Sequence, residues 1–130
     1  NFMITKNLLI VLVFAWIIPN IDWKIYLTMF PEITRVAFCE SGNKNNPMGN
    51  PKALNPNDVG SRSVGLLQFK DKTFYSWAKL AGIEKPDIWN PIQQIVLYRW
   101  ADENNLSNHW SCYSKLVRTD KQFRLLYVDL

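Results

Sequence analysis

The sequence predicts one mainly helical α+β domain with a small β-hairpin or loop region, and three observations support this. Apolar residues recur with helical spacing in three segments. The stretch between the first two segments is rich in Asn, Pro, Gly and Ser, which favours turns and loops. The chain has 130 residues, of which 48% are hydrophobic and 14% aromatic. That size suits a single domain, and that composition excludes intrinsic disorder.

The N-terminal segment carries an uninterrupted apolar run at residues 8–18, preceded by Lys6. The run is shorter than the roughly 20 residues that cross a bilayer, and its length is typical of a secretory signal. Pro19 and Asn20 stand where a small-residue cleavage site is expected, so an uncleaved membrane anchor and a buried core helix stay open as alternatives. We expect an exported protein (periplasmic, wall-bound or extracellular) in which residues 1–31 form a signal peptide or anchor plus a linker.

The first helix of the domain is predicted to begin at Pro31 and to end at Gly42. Proline favours the first helical turn, and glycine favours the position after the last one. The apolar stripe of this helix consists of Ile33, Val36 and Ala37. Glu40 follows one turn later, so we expect it beside the buried stripe rather than opposite it.

Residues 43–63 are predicted to form a long loop, or a loop with a hairpin, and a loop of this length is usually functional. A second helix is predicted from Asp71 to the stop signal Gly82. A third is predicted to start at Asn90, with Gln93 at the capping-box position. The apolar faces are Phe74, Trp77, Ala78 and Ala81 in the second helix and Ile92, Ile95, Val96 and Trp100 in the third.

The two cysteines, Cys39 and Cys112, stand near opposite ends of the expected domain. In an exported chain this arrangement predicts a disulfide between them, with two free buried thiols as the alternative. In the chain-entropy model, a bridge closing so long a loop would stabilise the fold by about 4 kcal/mol.

The net charge of +4 does not predict nucleic-acid binding, because the excess basic residues lie mostly at the chain ends. Residues 32–112 carry nine basic and eight acidic side chains. With one histidine and two cysteines, the chain lacks the residues of most zinc sites. We therefore expect a monomer with no nucleic-acid partner, no metal and no cofactor.

Four short motifs occur in the order typical of the lysozyme-like superfamily. They are Cys39-Glu40-Ser41-Gly42, Gly65-Leu66-Leu67-Gln68-Phe69, Gln94-Ile95 and Trp110-Ser111-Cys112. The first two resemble the Glu-Ser and Gly-Leu-Met-Gln signature of the soluble lytic transglycosylase domain. The cysteine positions resemble those of the resuscitation-promoting-factor domain. The resemblance implies a lysozyme-like domain at residues 32–113 and leaves an extension, residues 114–130, without an assigned role.

The resemblance implies that the partner is the glycan strand of peptidoglycan. It also implies that Glu40 is the acid/base that cleaves the β-1,4 bond between N-acetylmuramic acid and N-acetylglucosamine. An independent argument favours the same residue: glycosidic cleavage requires a proton for the leaving oxygen, and a carboxyl group in an apolar setting supplies one. A carboxylate near a helix C-terminus is otherwise electrostatically unfavourable.

The expected substrate contacts, by resemblance and by residue type, are Ser41, Ser63, Gly65, Gln68, Phe69, Tyr75 and Trp110. Asp58 is a candidate second carboxylate that would orient a water molecule, and its alternative role is to form the turn before Val59 and Gly60. Without a second carboxylate, the N-acetyl group of the substrate would stabilise the cation and its 6-hydroxyl would close an anhydro ring. Ala101 stands where transglycosylases have a tyrosine. The resuscitation-promoting branch, like this chain, lacks that tyrosine. A hydrolytic muramidase and a non-catalytic wall-binding module are the alternative functions.

Overall fold

The computed structural model describes residues 22–116, so the apolar run at 8–18 and residues 117–130 lie outside the described residues. The elements are α1 (Trp23–Thr28), α2 (Pro31–Ser41), β1 (Leu54–Asp58), β2 (Ser61–Val64), α3 (Asp71–Ala81), α4 (Pro91–Glu103) and a 3₁₀ turn (Ser107–His109). Residues 111–116 are also helical. The predicted α+β, mainly helical class is confirmed. Within residues 22–116, no helix combines the length and apolarity needed to span a membrane.

Helix α1 belongs to the folded unit, although the sequence analysis places residues 1–31 ahead of the domain. The side chains of Tyr26 and Leu27 are completely buried in the core. The Thr34 hydroxyl donates a hydrogen bond to the Leu27 carbonyl at 3.1 Å, which joins α1 to α2. The segment expected to be a linker thus contributes apolar surface to the domain.

Helix α2 begins at Pro31 as predicted, and its expected apolar stripe is buried. The helix ends before Gly42, whose backbone is extended rather than left-handed. A Cβ atom at Gly42 would lie 2.6 Å from the Phe38 side chain, so the chain leaves the helix where only glycine fits. This exit places Glu40 in the last turn of α2.

The long loop continues into an antiparallel hairpin, one of the two forms expected. The Cα partners are Leu54 with Val64, Asn55 with Ser63, and Asp58 with Ser61. Val59 and Gly60 form the two-residue turn, with φ values of 53° and 87°. Two positive φ values are the signature of a type I′ turn, whose twist suits a tight hairpin.

Helices α3 and α4 begin where the sequence predicts, and α3 also ends at its predicted stop signal. Gly82 adopts the left-handed conformation, with φ of 78°. Asn90 caps α4 by accepting hydrogen bonds from the backbone N–H groups of Ile92 and Gln93. Gln93 does not complete a capping box, because its side-chain oxygen accepts from the Asp87 N–H at 2.7 Å.

Helix α4 is buried around more of its circumference than its predicted stripe. Its buried residues are Gln94, Ile95, Val96, Leu97, Tyr98, Trp100 and Ala101. The physical reason is its central position, because α4 packs against both α1 and α3.

A cluster of aromatic rings fills the core between α3, α4 and the C-terminal part of the described chain. Trp110 packs edge-on against Phe69, with ring centroids 5.1 Å apart, and lies 4.7 Å from the Tyr98 ring. Nearby, a disulfide joins Cys39 to Cys112, as the sequence predicts. The bridge ties the last turn of α2 to residues 111–116, next to Glu40.

Candidate active site

Glu40 is partly buried in the last turn of α2. Removal from water raises the pKa of its carboxyl group, and the nearby Asp58 carboxylate raises it further. A hydrogen bond from the Cys112 backbone and the positive charge of Lys115 act in the opposite direction. The net effect is a raised pKa, so Glu40 holds its proton to a higher pH than an exposed glutamate.

Asp58 stands at the end of β1, where the hairpin brings it within electrostatic range of Glu40. The Ser63 hydroxyl donates a hydrogen bond to an Asp58 carboxylate oxygen at 2.7 Å. The Lys70 ammonium lies 3.8 Å from the same oxygen and also donates to the Asp58 backbone carbonyl. Glu40 and Asp58, the two carboxylates expected to take part in chemistry, are thus within electrostatic range of each other.

Ser63 is 1% exposed, which corrects the expectation that it contacts substrate. Because its side chain lies on the buried face of β2, its hydroxyl reaches Asp58 instead of the surface. Ser63 thus orients a candidate catalytic group from within the protein.

Ser41, next to Glu40, joins three parts of the chain. Its hydroxyl donates to the Leu66 carbonyl at 2.7 Å and accepts from the Asn50 N–H at 2.8 Å. The same oxygen lies 3.2 Å from the Ala37 carbonyl. These bonds hold the end of α2 against the loop and the turn before α3, and a contact between Ser41 and substrate stays a prediction.

Gly65 is required for internal packing rather than for a close approach of the sugar. Its φ is 78°, and a Cβ atom at this position would lie 2.6 Å from the Gln94 side-chain nitrogen. The side-chain nitrogen of Gln68 donates to the Gly65 carbonyl at 2.9 Å, within the same turn. Gln68 is part-buried, and its expected substrate contact stays a prediction.

Gln94 organises the turn before α3, a role that the sequence analysis did not assign. Its buried side-chain oxygen accepts from the Leu67 N–H at 2.8 Å. Its nitrogen donates to the carbonyls of Val64 and Ile88, at 2.9 Å and 2.7 Å. The available signal was its place next to Ile95 in the third motif, because Gln94 lies outside the predicted apolar stripe of this helix.

Phe69 and Trp110 are core residues, which corrects their assignment as substrate contacts. Phe69 is completely buried and Trp110 is 2% exposed. The Trp110 indole N–H donates to the Leu67 carbonyl at 2.8 Å. Both rings lie beneath the turn before α3, because burying two large aromatic surfaces stabilises this small domain more than leaving them exposed to water would.

Tyr75 is exposed on α3, and its hydroxyl accepts a hydrogen bond from the Ile88 N–H at 3.4 Å. Its ring packs edge-on against Phe74. It is the aromatic residue of the expected set that solvent reaches, and its stacking on a sugar stays a prediction.

A histidine and a lysine extend the polar surface beyond Asp58. The exposed His109 ring packs against Trp77 and Trp110, each at 5.3 Å between ring centroids. Partial desolvation lowers the pKa of His109, and the charge of Lys70 lowers it further. A neutral imidazole therefore lies near the lysine that holds Asp58.

Tyr98 lies in the core and packs against Trp110. Its hydroxyl is buried and has no hydrogen-bond partner among residues 22–116. Burial raises the pKa of Tyr98 well above its usual value, and surrounding carboxylates that include Glu40 raise it further. Tyr98 is therefore a neutral, buried residue of the core.

Within the described part of the chain, no three His, Cys, Asp or Glu side chains are grouped so that they could hold a metal ion. No protein-family model, curated protein or solved structure matches this chain. Its chemistry must therefore be argued from Glu40, Asp58 and their surroundings.

Proposed function

We propose that the protein is an exported peptidoglycan-cleaving glycosidase of lysozyme-like fold, with Glu40 as its acid/base. The observation that supports this proposal is the raised pKa of Glu40 at a partly buried helix end, within electrostatic range of the Asp58 carboxylate. Cleavage of a glycosidic bond requires a carboxylic acid that can donate a proton, and a raised pKa lets Glu40 hold its proton to a higher pH than an exposed glutamate does. The Cys39–Cys112 disulfide is compatible with export, because such bonds persist in oxidising compartments.

In the proposed reaction, the protonated Glu40 carboxyl group donates its proton to the glycosidic oxygen while the bond from that oxygen to the anomeric carbon breaks. The positive charge that develops on the sugar is stabilised by the N-acetyl group of the substrate. The 6-hydroxyl then attacks the anomeric carbon and returns its proton to the Glu40 carboxylate. This sequence makes the enzyme a lytic transglycosylase whose product is an anhydro sugar.

Asp58 favours a second candidate function, a hydrolytic muramidase. The Ser63 hydroxyl and the Lys70 ammonium hold its carboxylate in place, and its charge acts on Glu40. A carboxylate so placed can orient a water molecule towards the anomeric carbon or stabilise the sugar cation. Water would then replace the 6-hydroxyl as the nucleophile, and the product would carry a normal reducing end.

Digestion of purified peptidoglycan in water labelled with heavy oxygen tests the proposal and separates these two outcomes. Mass spectrometry of the fragments should show anhydro ends without label after transglycosylation. Hydrolysis would give reducing ends that carry the label. Wall binding without release of fragments would identify a non-catalytic module and overturn the proposal.

The same digestion with Glu40→Gln tests the role of the acid. The amide keeps the shape of the side chain but has no proton to transfer, so we expect lysis to slow at least about a hundredfold. Glu103→Gln is the matched control, because Glu103 also ends a helix but pairs with Arg99 at 3.1 Å. A Glu40→Gln variant within tenfold of the parent rate would contradict the assignment.

A further inference from the structure

Val59, at the tip of the hairpin, has an unusual combination of conformation and exposure. Its side chain is 95% exposed, more than any other large hydrophobic side chain within residues 22–116. Its φ is 53°, in the left-handed region, and Gly60 follows with φ of 87°. An apolar, β-branched side chain therefore stands in water at the first position of a type I′ turn.

This position is unfavourable for valine in two ways. A β-branched residue strains the backbone at positive φ, and type I′ turns strongly prefer Asn or Asp before the glycine. The exposed isopropyl group also gains almost nothing from burial within the domain. Strained residues cluster at ligand-binding and catalytic sites, where the strain serves a function other than stability.

The tip is also held in a defined position beside the candidate active site. Asp58 and Ser61 pair across the turn, directly before and after its two residues. The Lys70 ammonium donates to the Asp58 backbone carbonyl and to the Ser61 hydroxyl, the latter at 3.0 Å. One side chain thus clamps both ends of the turn, and Val59 directly follows the carboxylate that acts on Glu40.

We propose that Val59 is a specificity-determining residue whose isopropyl group packs against methyl groups of a peptidoglycan strand bound between Glu40 and Asp58. This inference rests on the proposed function. The strand offers methyl groups of two kinds, on the N-acetyl groups of its sugars and on the lactyl and alanyl units of its peptide arms. In either case the contact moves apolar surface out of water, which the free protein does not do at this position.

Three substitutions at Val59 distinguish the effect of the proposed contact from the effect of backbone strain. Val59→Thr keeps the shape and the β-branch but replaces a methyl group by a hydroxyl. We expect it to lower kcat/KM on peptidoglycan about tenfold with little change in Tm. Val59→Asn should lower kcat/KM similarly and raise Tm by about 4 °C, because asparagine suits the turn. Val59→Ile keeps the apolar surface and should cleave faster than Val59→Thr.

Two substrates distinguish the source of the methyl groups. Intact peptidoglycan and glycan strands stripped of peptide by an amidase are digested by the parent and by Val59→Thr. Loss of activity on both substrates assigns the contact to the N-acetyl groups, and loss on intact peptidoglycan alone assigns it to the peptide arms. Leu80→Thr is the matched control, since Leu80 is 56% exposed on α3, and its activity should equal that of the parent.

The contact is overturned if the parent cleaves peptidoglycan and both Val59→Thr and Val59→Asn cleave it within twofold of the parent rate. It is also overturned if light scattering shows that Val59→Thr changes the oligomeric state, because the valine would then serve self-association. The proposed function and the contact would be refuted together if the parent does not cleave peptidoglycan and neither the parent nor Glu40→Gln sediments with it.

Discussion

Glu40 lies where an ionised carboxylate is unfavourable in two ways. It is partly removed from water, which raises its pKa above the usual 4.5, and it ends a helix whose carbonyl groups repel negative charge. A raised folded-state pKa means that its stabilising contribution is complete below the unfolded-state value. That contribution is lost as the pH rises through the raised value. The setting that would suit Glu40 to the proposed role of proton donor thus opposes its ionisation in the folded protein.

The pH dependence of cleavage should respond to the two charges that act on the Glu40 carboxyl group, those of Asp58 and Lys115. In the proposed reaction the protonated form of Glu40 donates the proton, so kcat/KM should fall on the alkaline side as Glu40 ionises. Asp58 raises the pKa of Glu40 and Lys115 lowers it. Asp58→Asn should therefore move the alkaline limb to lower pH, and Lys115→Gln should move it to higher pH.

Profiles of kcat/KM against pH for the parent and both variants check this prediction. The position of the limb is independent of the absolute rate, so a slower Asp58→Asn enzyme is still informative. Limbs that shift in the same direction, or that do not move, would contradict the electrostatic account of Glu40.

At the scale of elements, the turn between β2 and α3 depends on buried hydrogen bonds as much as on apolar packing. Val64 and Phe69 exchange backbone hydrogen bonds at 2.9 and 3.0 Å, which closes the turn. The Gln94 side chain then extends from α4 and forms hydrogen bonds with three backbone groups outside that helix. Gly65 leaves space for the Gln94 amide group. A buried polar group left without its partner costs more free energy than the bond contributes when formed.

Truncation of Gln94 should therefore destabilise the whole domain. We expect Gln94→Ala to lower the free energy of unfolding by about 2–4 kcal/mol, because it leaves buried N–H and carbonyl groups unpaired. The matched control is Gln93→Ala, which removes an exposed bond to Asp87 and should cost less than about 1 kcal/mol. Urea unfolding followed by circular dichroism measures both, and an equal loss for the two variants would contradict the role of Gln94.

At the scale of the whole molecule, the disulfide couples the fold to the acid. Cys39 precedes Glu40, and the backbone of Cys112 hydrogen-bonds to the Glu40 carboxylate, which lowers its pKa. The bridge spans 73 residues, so removing it should destabilise the fold by up to about 4 kcal/mol. Loosening residues 111–116 would also weaken the hydrogen bond to Glu40.

Reduction should consequently lower both Tm and lytic activity, with activity falling first if the site loosens before the domain unfolds. Thermal melts and lysis assays at increasing reductant concentration measure the two effects. If the protein is exported as proposed, peptide mapping of protein recovered from outside the cytoplasm should show a linked Cys39–Cys112 peptide. Two thiols that alkylate freely in that sample would contradict the bridge there and weaken the proposal of export.

Much of the fold was predictable because its signals are local. Pro31, Asn90 and Gly82 mark helix ends through the backbone conformations that they favour, and the structure confirms all three boundaries. The boundary of the domain was less predictable, since α1 becomes part of it only by packing Tyr26 and Leu27 against other helices.

The sequence by itself determined three of the helices, the partners of the disulfide and the position of Glu40 at a helix end, because each follows from residue type and spacing along the chain. Only the tertiary structure decided which polar and aromatic side chains face the site. Phe69 and Trp110 turned inward while Ser63 came to hold Asp58. The physical reason is that the exposure of a side chain depends on which elements pack together. An aromatic ring within a motif is buried or exposed according to the segments that pack over it, and these segments lie far away along the chain.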